Sequence, residues 1–424
     1  MINRPPTKWQ RPFGLYYGYI IVAVSVLILT VTQGTYYSFG VFLKPLAQDF
    51  DWSRAAVSGA VSLGSIVSGI SFIFAGRVTD RVGPRLVMVV CGLSLGIGYL
   101  LLSRIQNIWQ LYLLYTILIG IGTSGFIPLV STASRWFVRR RGLMTGLVAS
   151  GTAVGTLLMP PLANWLIIHR GWQSSYAIVG TIALLVIIPA AQFLRRDPAQ
   201  VGQIPYGEEA KGGSRNLEPE GTSFSETIRT GQFRLLMLAK MCYGFGVSII
   251  MVHIFPHATD LGIPATDAAV IIALIGGVGI LGRVLTGTVG DRVGHRWAYT
   301  ACFFLAIAAI AVVMVSKEIW AFYLLAVLFG FAYGGLAVSP SLVVAELFGL
   351  RAHGQIFGAI SFGTTIGTAT GPLVAGYIYD VTGDYQLAFV TCIALLSIGT
   401  GSVMGLKPWS KSDGQRLVSS TKAV

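Results

Sequence analysis

The sequence predicts an all-α polytopic membrane protein: 12 transmembrane helices arranged as two pseudo-symmetric six-helix bundles. Three observations predict it. Only 11% of the 424 residues are charged while 54% are hydrophobic, with a mean hydropathy of +0.71. Twelve stretches are apolar over about the 20 residues that a bilayer core demands of a helix. A charged loop pattern recurs at half the chain length. A soluble protein is roughly one quarter charged, so this chain lacks the polar surface of a soluble globule. Disordered, collagenous and disulfide-rich secreted classes are excluded on the same composition.

The spans fall at 15–42, 55–76, 84–103, 109–134, 142–166, 173–194, 233–255, 267–289, 297–315, 320–346, 355–379 and 386–406. Arg4, Lys8 and Arg11 precede the first, but its apolar run is too long for a cleaved signal and has no small-residue cleavage site, so it reads as a retained span. The longest polar interval separates six spans from six. The organisation is therefore an N-terminal tail 1–14, a bundle 15–196, a linker 197–230, a bundle 231–406 and a C-terminal tail 407–424. The linker carries Glu208, Glu209, Glu218, Glu220 and Glu226, and a short amphipathic helix is expected near Phe224–Phe233. Cys91, Cys242, Cys302 and Cys392 lie in apolar runs without Cys-x-x-Cys spacing, and read as core residues, not as metal ligands or disulfides.

Lysine and arginine set the orientation. With the N-terminus inside, inside segments hold 23 of them and outside segments 5 (Lys44, Arg54, Arg104, Arg170 and Lys317), leaving Lys240 and Arg283 within spans. This bias places both termini in the cytoplasm of a multi-pass protein of the inner or cytoplasmic cell membrane. It also accounts for the net charge of +13 through the lipid bilayer as partner, with no nucleic acid needed.

The loop after span 2, Gly76-Arg-Val-Thr-Asp80-Arg81-Val-Gly83-Pro-Arg85, matches the loop after span 8, Gly287-Thr-Val-Gly-Asp291-Arg292-Val-Gly294-His-Arg296, at a constant offset of 211. Gly142 and Gly146 recur as Gly354 and Gly358 at an offset of 212, which is half of 424. A duplicated six-helix unit follows. The pattern resembles the loop between the second and third helices of each half in the major facilitator superfamily. That resemblance covers nearly the whole chain and implies two bundles around a central cavity that opens to either side in turn, with substrate near the midplane. Asp80 and Asp291 are placed to approach positive helix N-termini of the opposite half. Arg135 and Glu346 occupy equivalent places, so Asp80, Arg81 and Arg135, with Asp291, Arg292 and Glu346, are the expected conformational latch.

A finer resemblance lies in Arg135-Trp136-Phe137-Val-Arg139-Arg140-Arg141-Gly-Leu143-Met-Thr-Gly146-Leu-Val-Ala-Ser150-Gly151, similar to the span-5 signature of the monocarboxylate transporter family. Phe329-Gly330-Phe331-Ala332-Tyr333-Gly334 and the run from Gly371-Pro372 through Asp380 to Gly383-Asp384-Tyr385 agree with it. Oxalate/formate-type carriers are close relatives. Two departures stand out. The region Leu15-Tyr16-Tyr17-Gly18-Tyr19 lacks the family's acidic residue. Proton-coupled animal members carry a span-1 lysine where Tyr37 stands, and a span-8 aspartate where Gly279 stands.

Arg283, slightly past the middle of span 8, is the primary candidate for binding substrate. A central arginine costs roughly 2.5–3.5 kcal/mol on insertion scales, and all 17 carboxylates fall outside the middles of spans. Gly276, Gly279 and Gly287 leave its face nearly bare, room that suits bidentate carboxylate capture. The resemblance places the family's span-8 arginine at this position too. One cation favours a small organic monocarboxylate; a dicarboxylate would want a second. Lys240 is the other candidate, with snorkelling to the interface as its expected role. Tyr333, Tyr37 and Tyr36 are candidate substrate or gate contacts. His253 is the expected proton acceptor, with Asp380 as the second candidate and His257 interfacial.

Metalloprotease, phosphate-loop and nucleophile-elbow motifs are missing. No enzyme activity and no cofactor is expected. The sequence reads as a secondary active transporter of lactate- or pyruvate-type monocarboxylates, coupled to a proton by alternating access. An oxalate/formate-type exchanger is the alternative, and a non-transporting membrane sensor a more distant one.

Overall fold

The computed structural model describes residues 16–207, 222–349 and 352–406, except the side chains at 73, 80, 141, 142, 353 and 354. The tails 1–14 and 407–424, the acidic part of the linker and Arg351 lie outside the described residues. The described residues are almost all helical or in short connections between helices. α1 is Tyr17–Phe50, bent at Ser38; α2 is Arg54–Val82; α3 is Pro84–Leu102; α4 is Ile108–Trp136. One 51-residue helical run, Arg141–Ala191, contains α5 (141–170) and α6 (172–191), separated at Gly171, whose φ of 76° and ψ of 165° turn the chain back. The second half repeats the order: α7 Gly231–Asp260, α8 Ala265–Val293, α9 His295–Val315, α10 Ile319–Phe348, α11 His353–Thr382 and α12 Gln386–Met404.

Helices outrun the apolar stretches that announced them. α2 and α8 are both 29 residues long and end at equivalent glycines, Gly83 (φ 101°) and Gly294 (φ 92°). Each glycine donates its N–H to the carbonyl four residues back, Thr79 or Gly290. The repeated loop glycine is thus a backbone requirement, because a side chain at such φ is strained. The linker helix is a single turn, Phe224–Thr227, started by a reciprocal Ser223/Glu226 cap, and α7 begins soon after at Gly231.

Two apolar cores form, one for each bundle, and each borrows a residue from the other half: Val41 joins the second, Val252 the first. In lipid, helices gain little from hydrophobicity and associate through close packing of small residues. Gly151 and Gly155 bring α5 onto α1, while Gly363, Gly367 and Gly371 bring α11 onto α7. Between the halves, α2 meets α11 through Gly69 against Thr365 and Gly376 against Ala55, and α5 meets α8 where Gly276 lies on Ala153 and Thr156.

The halves converge at the end away from the termini, the far side, and separate on the terminal side. There Gly146, Gly287 and Gly358 have nothing within 4 Å of an added Cβ, and Phe74, Leu143 and Val284 are exposed. The space between the bundles is therefore open on the side of the termini. Packing tightness predicts opposite effects for two glycines. An alanine at Gly334 would run into the Gly279 carbonyl and, at 2.8 Å, the Arg283 nitrogen; one at Gly358 meets nothing. Gly334→Ala is expected to lower the melting temperature in detergent, as overpacking costs about 1–3 kcal/mol. Gly358→Ala is expected to hold or raise it through helix propensity of about 1 kcal/mol.

Candidate functional site

Arg283 lies on α8 where α8 and α10 touch backbone to backbone. Gly282 sits on the Phe331 carbonyl, Gly330 on Ile275 and Gly334 on Gly279. That contact sets the guanidinium 5.8 Å from the centre of the Tyr333 ring. It also explains Gly279: a Cβ there would lie 3.2 Å from the Tyr333 ring, so the ring fills the place where a carboxylate partner would stand. Nη1 donates to the Ala149 carbonyl of α5, across the interface between halves, at 2.7 Å. Nε is buried and has no hydrogen-bond partner. Among the described residues no carboxylate pairs with this arginine.

An aromatic wall surrounds it. Tyr37 of α1 meets Tyr333 edge-on at 6.4 Å between ring centres, and packs against Tyr36 at 5.4 Å. The Tyr36 hydroxyl bonds Ser65 within its own bundle at 2.9 Å. Lys240 does not snorkel. It is only 5% exposed, and its Nζ sits 4.9 Å from the centre of the Tyr243 ring, one turn deeper along α7. Two apolar surface grooves open elsewhere, around Trp109 and Tyr112 and at the α2–α11 seam. Neither is lined by a charged side chain.

The expected proton groups fall in a separate network that fastens the far side. Arg54 at the start of α2 holds Asp260 of α7 through both carboxylate oxygens, at 2.6 and 2.9 Å. Lys44 joins the same carboxylate at 3.0 Å. The Arg54 guanidinium lies over the Tyr379 ring, 3.8 Å from its centre, and donates to the Tyr385 hydroxyl at 2.8 Å. Asp380 of α11 accepts the backbone N–H groups of Arg54 and Ala55 at 2.9 and 2.8 Å, capping a helix of the opposite bundle.

His253 belongs to this network. Its Nε2 faces the Pro372 carbonyl at 2.9 Å and must donate, so Nδ1, 3.1 Å from Tyr385, accepts. Burial pushes the Tyr385 phenol above its ordinary value, keeping the donated proton in place. Ser58 of α2 donates to the same Pro372 carbonyl. His257 is packed among Phe322, Tyr385 and Phe389.

Arg292 and Glu346 are both exposed and no ion pair joins them; Asp291, near the end of α8, approaches His295 at the start of α9 at 3.5 Å. Arg81 is exposed, Arg135 reaches Asp197 at 3.5 Å, and the Asp80 side chain lies outside the described residues. Sequence reasoning missed Lys44, Arg54, Asp260 and the tyrosines that join them. The available signal was scarcity: Lys44 and Arg54 are two of only five cations assigned to that side.

The model of the Major Facilitator Superfamily matches residues 24–316 and 236–413. Monocarboxylate transporter 13 of Bos taurus is 28% identical over 396 residues, covering 92% of this chain and 89% of that protein. The uncharacterized MFS-type transporter YcxA of Bacillus subtilis (strain 168) is 25% identical over 382 residues, covering 88% and 90%. Among solved structures, a bacterial homolog to the human lysosomal transporter Spinster, in an inward-facing and occupied conformation, superposes with a TM-score of 0.72 at 16% identity. It covers 93% of this chain and 97% of that one.

The far-side network predicts a gate. Arg54 and Asp260 are 11% and 20% exposed in their side chains, so their pairing stands between the roughly 1 kcal/mol of an exposed pair and the roughly 3–5 kcal/mol lost on breaking a buried one. Asp260→Asn is expected to speed labelling of a Tyr37→Cys thiol by a membrane-impermeant reagent added from the far side by at least about tenfold, since 1.4 kcal/mol is a factor of ten. Unchanged labelling would mean the network does not hold that side shut.

Proposed function

Because the chain belongs to the major facilitator superfamily, we propose that this membrane transporter moves small monocarboxylates of the lactate and pyruvate type together with a proton, by alternating access. One observation carries the reading: among the described residues, a guanidinium between the bundles has one carbonyl acceptor, an unpartnered Nε and no carboxylate partner. A carboxylate substrate supplies the missing anion and two acceptor oxygens. The relatives named monocarboxylate transporters, matched over most of their length, support the same substrate class.

In this reading Arg283 grips the carboxylate, and Tyr333 and Tyr37 close over the rest of the molecule. Tyr36 braces Tyr37 from behind through its bond to Ser65. Anion binding draws Arg283 away from the Ala149 carbonyl, loosening one bond between the halves as another forms to the cargo. The far-side network opens in exchange for contacts on the terminal side, where Asp80 with Arg135 and Arg292 with Glu346 become the latch. His253 and Asp380 act within the far-side gate. Charging His253 would turn Nδ1 into a donor and force the Tyr385 hydroxyl to give up its bond, which links protonation to opening. The excess of inside cations orients the carrier with both termini in the cytoplasm of a cell membrane.

Uptake of labelled L-lactate into proteoliposomes under an imposed pH gradient tests the proposal. Wild-type protein is expected to accumulate lactate and Arg283→Ala to lose at least about 100-fold, the loss of a charge-assisted bidentate contact of about 3 kcal/mol. Wild-type flux by Arg283→Ala would remove the binding role. Uptake accelerated by internal oxalate and indifferent to pH would instead select the exchanger.

A further inference from the structure

Resting on that reading, we propose that Lys240 is the residue that carries the coupling proton, taking it up as the carboxylate reaches Arg283 and releasing it as the carboxylate leaves. Four observations lead there. Lys240 is buried among the spans, 5% exposed. Its nitrogen lies 4.9 Å from the centre of the Tyr243 ring, one turn further along α7.

Next, the ammonium has an aromatic face but no acceptor: among the described residues nothing gives it a hydrogen bond or an ion pair. Last, it shares depth with Arg283. Lys240 is nine residues from the terminal-side end of α7 and Arg283 ten from that of α8, each about 14–15 Å at 1.5 Å per residue.

The groups around it leave no other titrating partner. On α7 itself stand Tyr243 and Cys242; α8 contributes Arg283, α10 Tyr333, α1 Tyr37, α9 Tyr299 and α12 Cys392. α11 packs along α7 but carries no ionisable residue between 355 and 376, and its described ionisable side chains, Tyr377, Tyr379 and Asp380, sit at the far-side end.

Lys240 and Arg283 are two cations at one depth, and among the described residues neither has a carboxylate partner. A guanidinium keeps its proton under all ordinary conditions, while an amine gives its proton up when desolvated. The amine is therefore the adjustable partner. An arriving carboxylate neutralises Arg283 and offers a negative field to Lys240, whose lone pair then takes a proton from water entering the site; on the opposite side both leave, the proton to water. The empty site (Arg283 charged, Lys240 neutral) and the loaded site (both charged, one anion) carry the same net charge. By linkage, the factor by which the anion strengthens proton binding is the factor by which the proton strengthens anion binding. The coupled pair therefore crosses in preference to either alone.

The test compares wild type, Lys240→Met and Lys240→Arg in proteoliposomes with L-lactate. Exchange of labelled for unlabelled lactate at equal pH moves no net proton, and both variants are expected to retain it, Lys240→Arg with the smaller loss. Accumulation driven by a pH gradient is expected to fall at least about tenfold in both, the scale of an ordinary coupling between sites.

As a second measurement, lactate binding to purified wild-type protein in weakly buffered detergent at mildly alkaline pH should withdraw protons from the medium, and binding to Lys240→Arg none. Gradient-driven accumulation by either variant at the wild-type level, or binding to wild type without proton uptake, would overturn the proposal. So would oxalate displacing lactate from wild type but not from Lys240→Met, which would make Lys240 a second anion clamp. A wild-type protein that neither binds nor exchanges lactate would instead sink the monocarboxylate reading itself.

Discussion

A guanidinium held between membrane helices without a carboxylate of its own is the constraint on which the rest of the structure depends. The charge at Arg283 cannot be removed by deprotonation, and in this setting it must be met by dipoles, rings or a visiting anion. The protein supplies only part of what is needed. One carbonyl, from Ala149, takes one N–H; the Tyr333 ring offers a weak negative face at 5.8 Å. Gly279 withholds the carboxylate that would complete the set, because the Tyr333 ring occupies its space. The site is thus built to be short of one anion, and that shortage makes it responsive to cargo.

Because the Ala149 carbonyl belongs to the opposite bundle, satisfying Arg283 and joining the halves are the same act. The interface has two symmetry-related seams, α2 with α11 and α5 with α8, both made of small residues whose backbones come close. Such seams are slippery: they fix distance without fixing a single register, and lipid contributes no hydrophobic bias towards either state. Directional bonds decide the state instead. On the far side these are charged and numerous, running from Lys44 and Arg54 to Asp260, Asp380, Tyr385 and, through Tyr385, His253. On the terminal side, where glycines face open space, Arg135 and Asp291 pair within their own bundles and Arg81, Arg292 and Glu346 are exposed.

The fold was legible because lipid imposes a coarse, strong rule on sequence: long apolar runs, counted charges and a repeated loop. Helix ends were less legible. α2 continues through its polar loop to Val82 and α5 and α6 part at one residue, Gly171, since helical hydrogen bonds do not stop where apolarity does. Arg283 was legible for the same reason, as an expensive residue without a sequence-visible partner. Lys240 was misread as snorkelling: composition gives depth along a helix, while the direction of a side chain around Tyr243 is set by tertiary packing. The far-side network escaped because its members are scattered over the sequence from Lys44 to Tyr385 and look like ordinary loop charges one at a time.

The duplication clarifies which parts of the molecule are scaffold and which are chemistry. α2 and α8 have the same length and the same terminal glycine turn, so their positions correspond residue for residue at an offset of 211. At that offset Arg283 faces Phe72, and the gate cation Arg54 faces Ala265. What was retained in both halves is backbone geometry: turns and close approaches that let two bundles rock. What differs is charge. Placing the site's cations in one bundle and the carbonyl that restrains Arg283 in the other means that an anion entering the site alters the bond between the bundles as well as its own surroundings. Had the arginine been duplicated, two permanent cations would face each other across the midplane and no single carboxylate would neutralise them. Breaking the symmetry at this one residue therefore gives a duplicated frame one unduplicated cation between its halves.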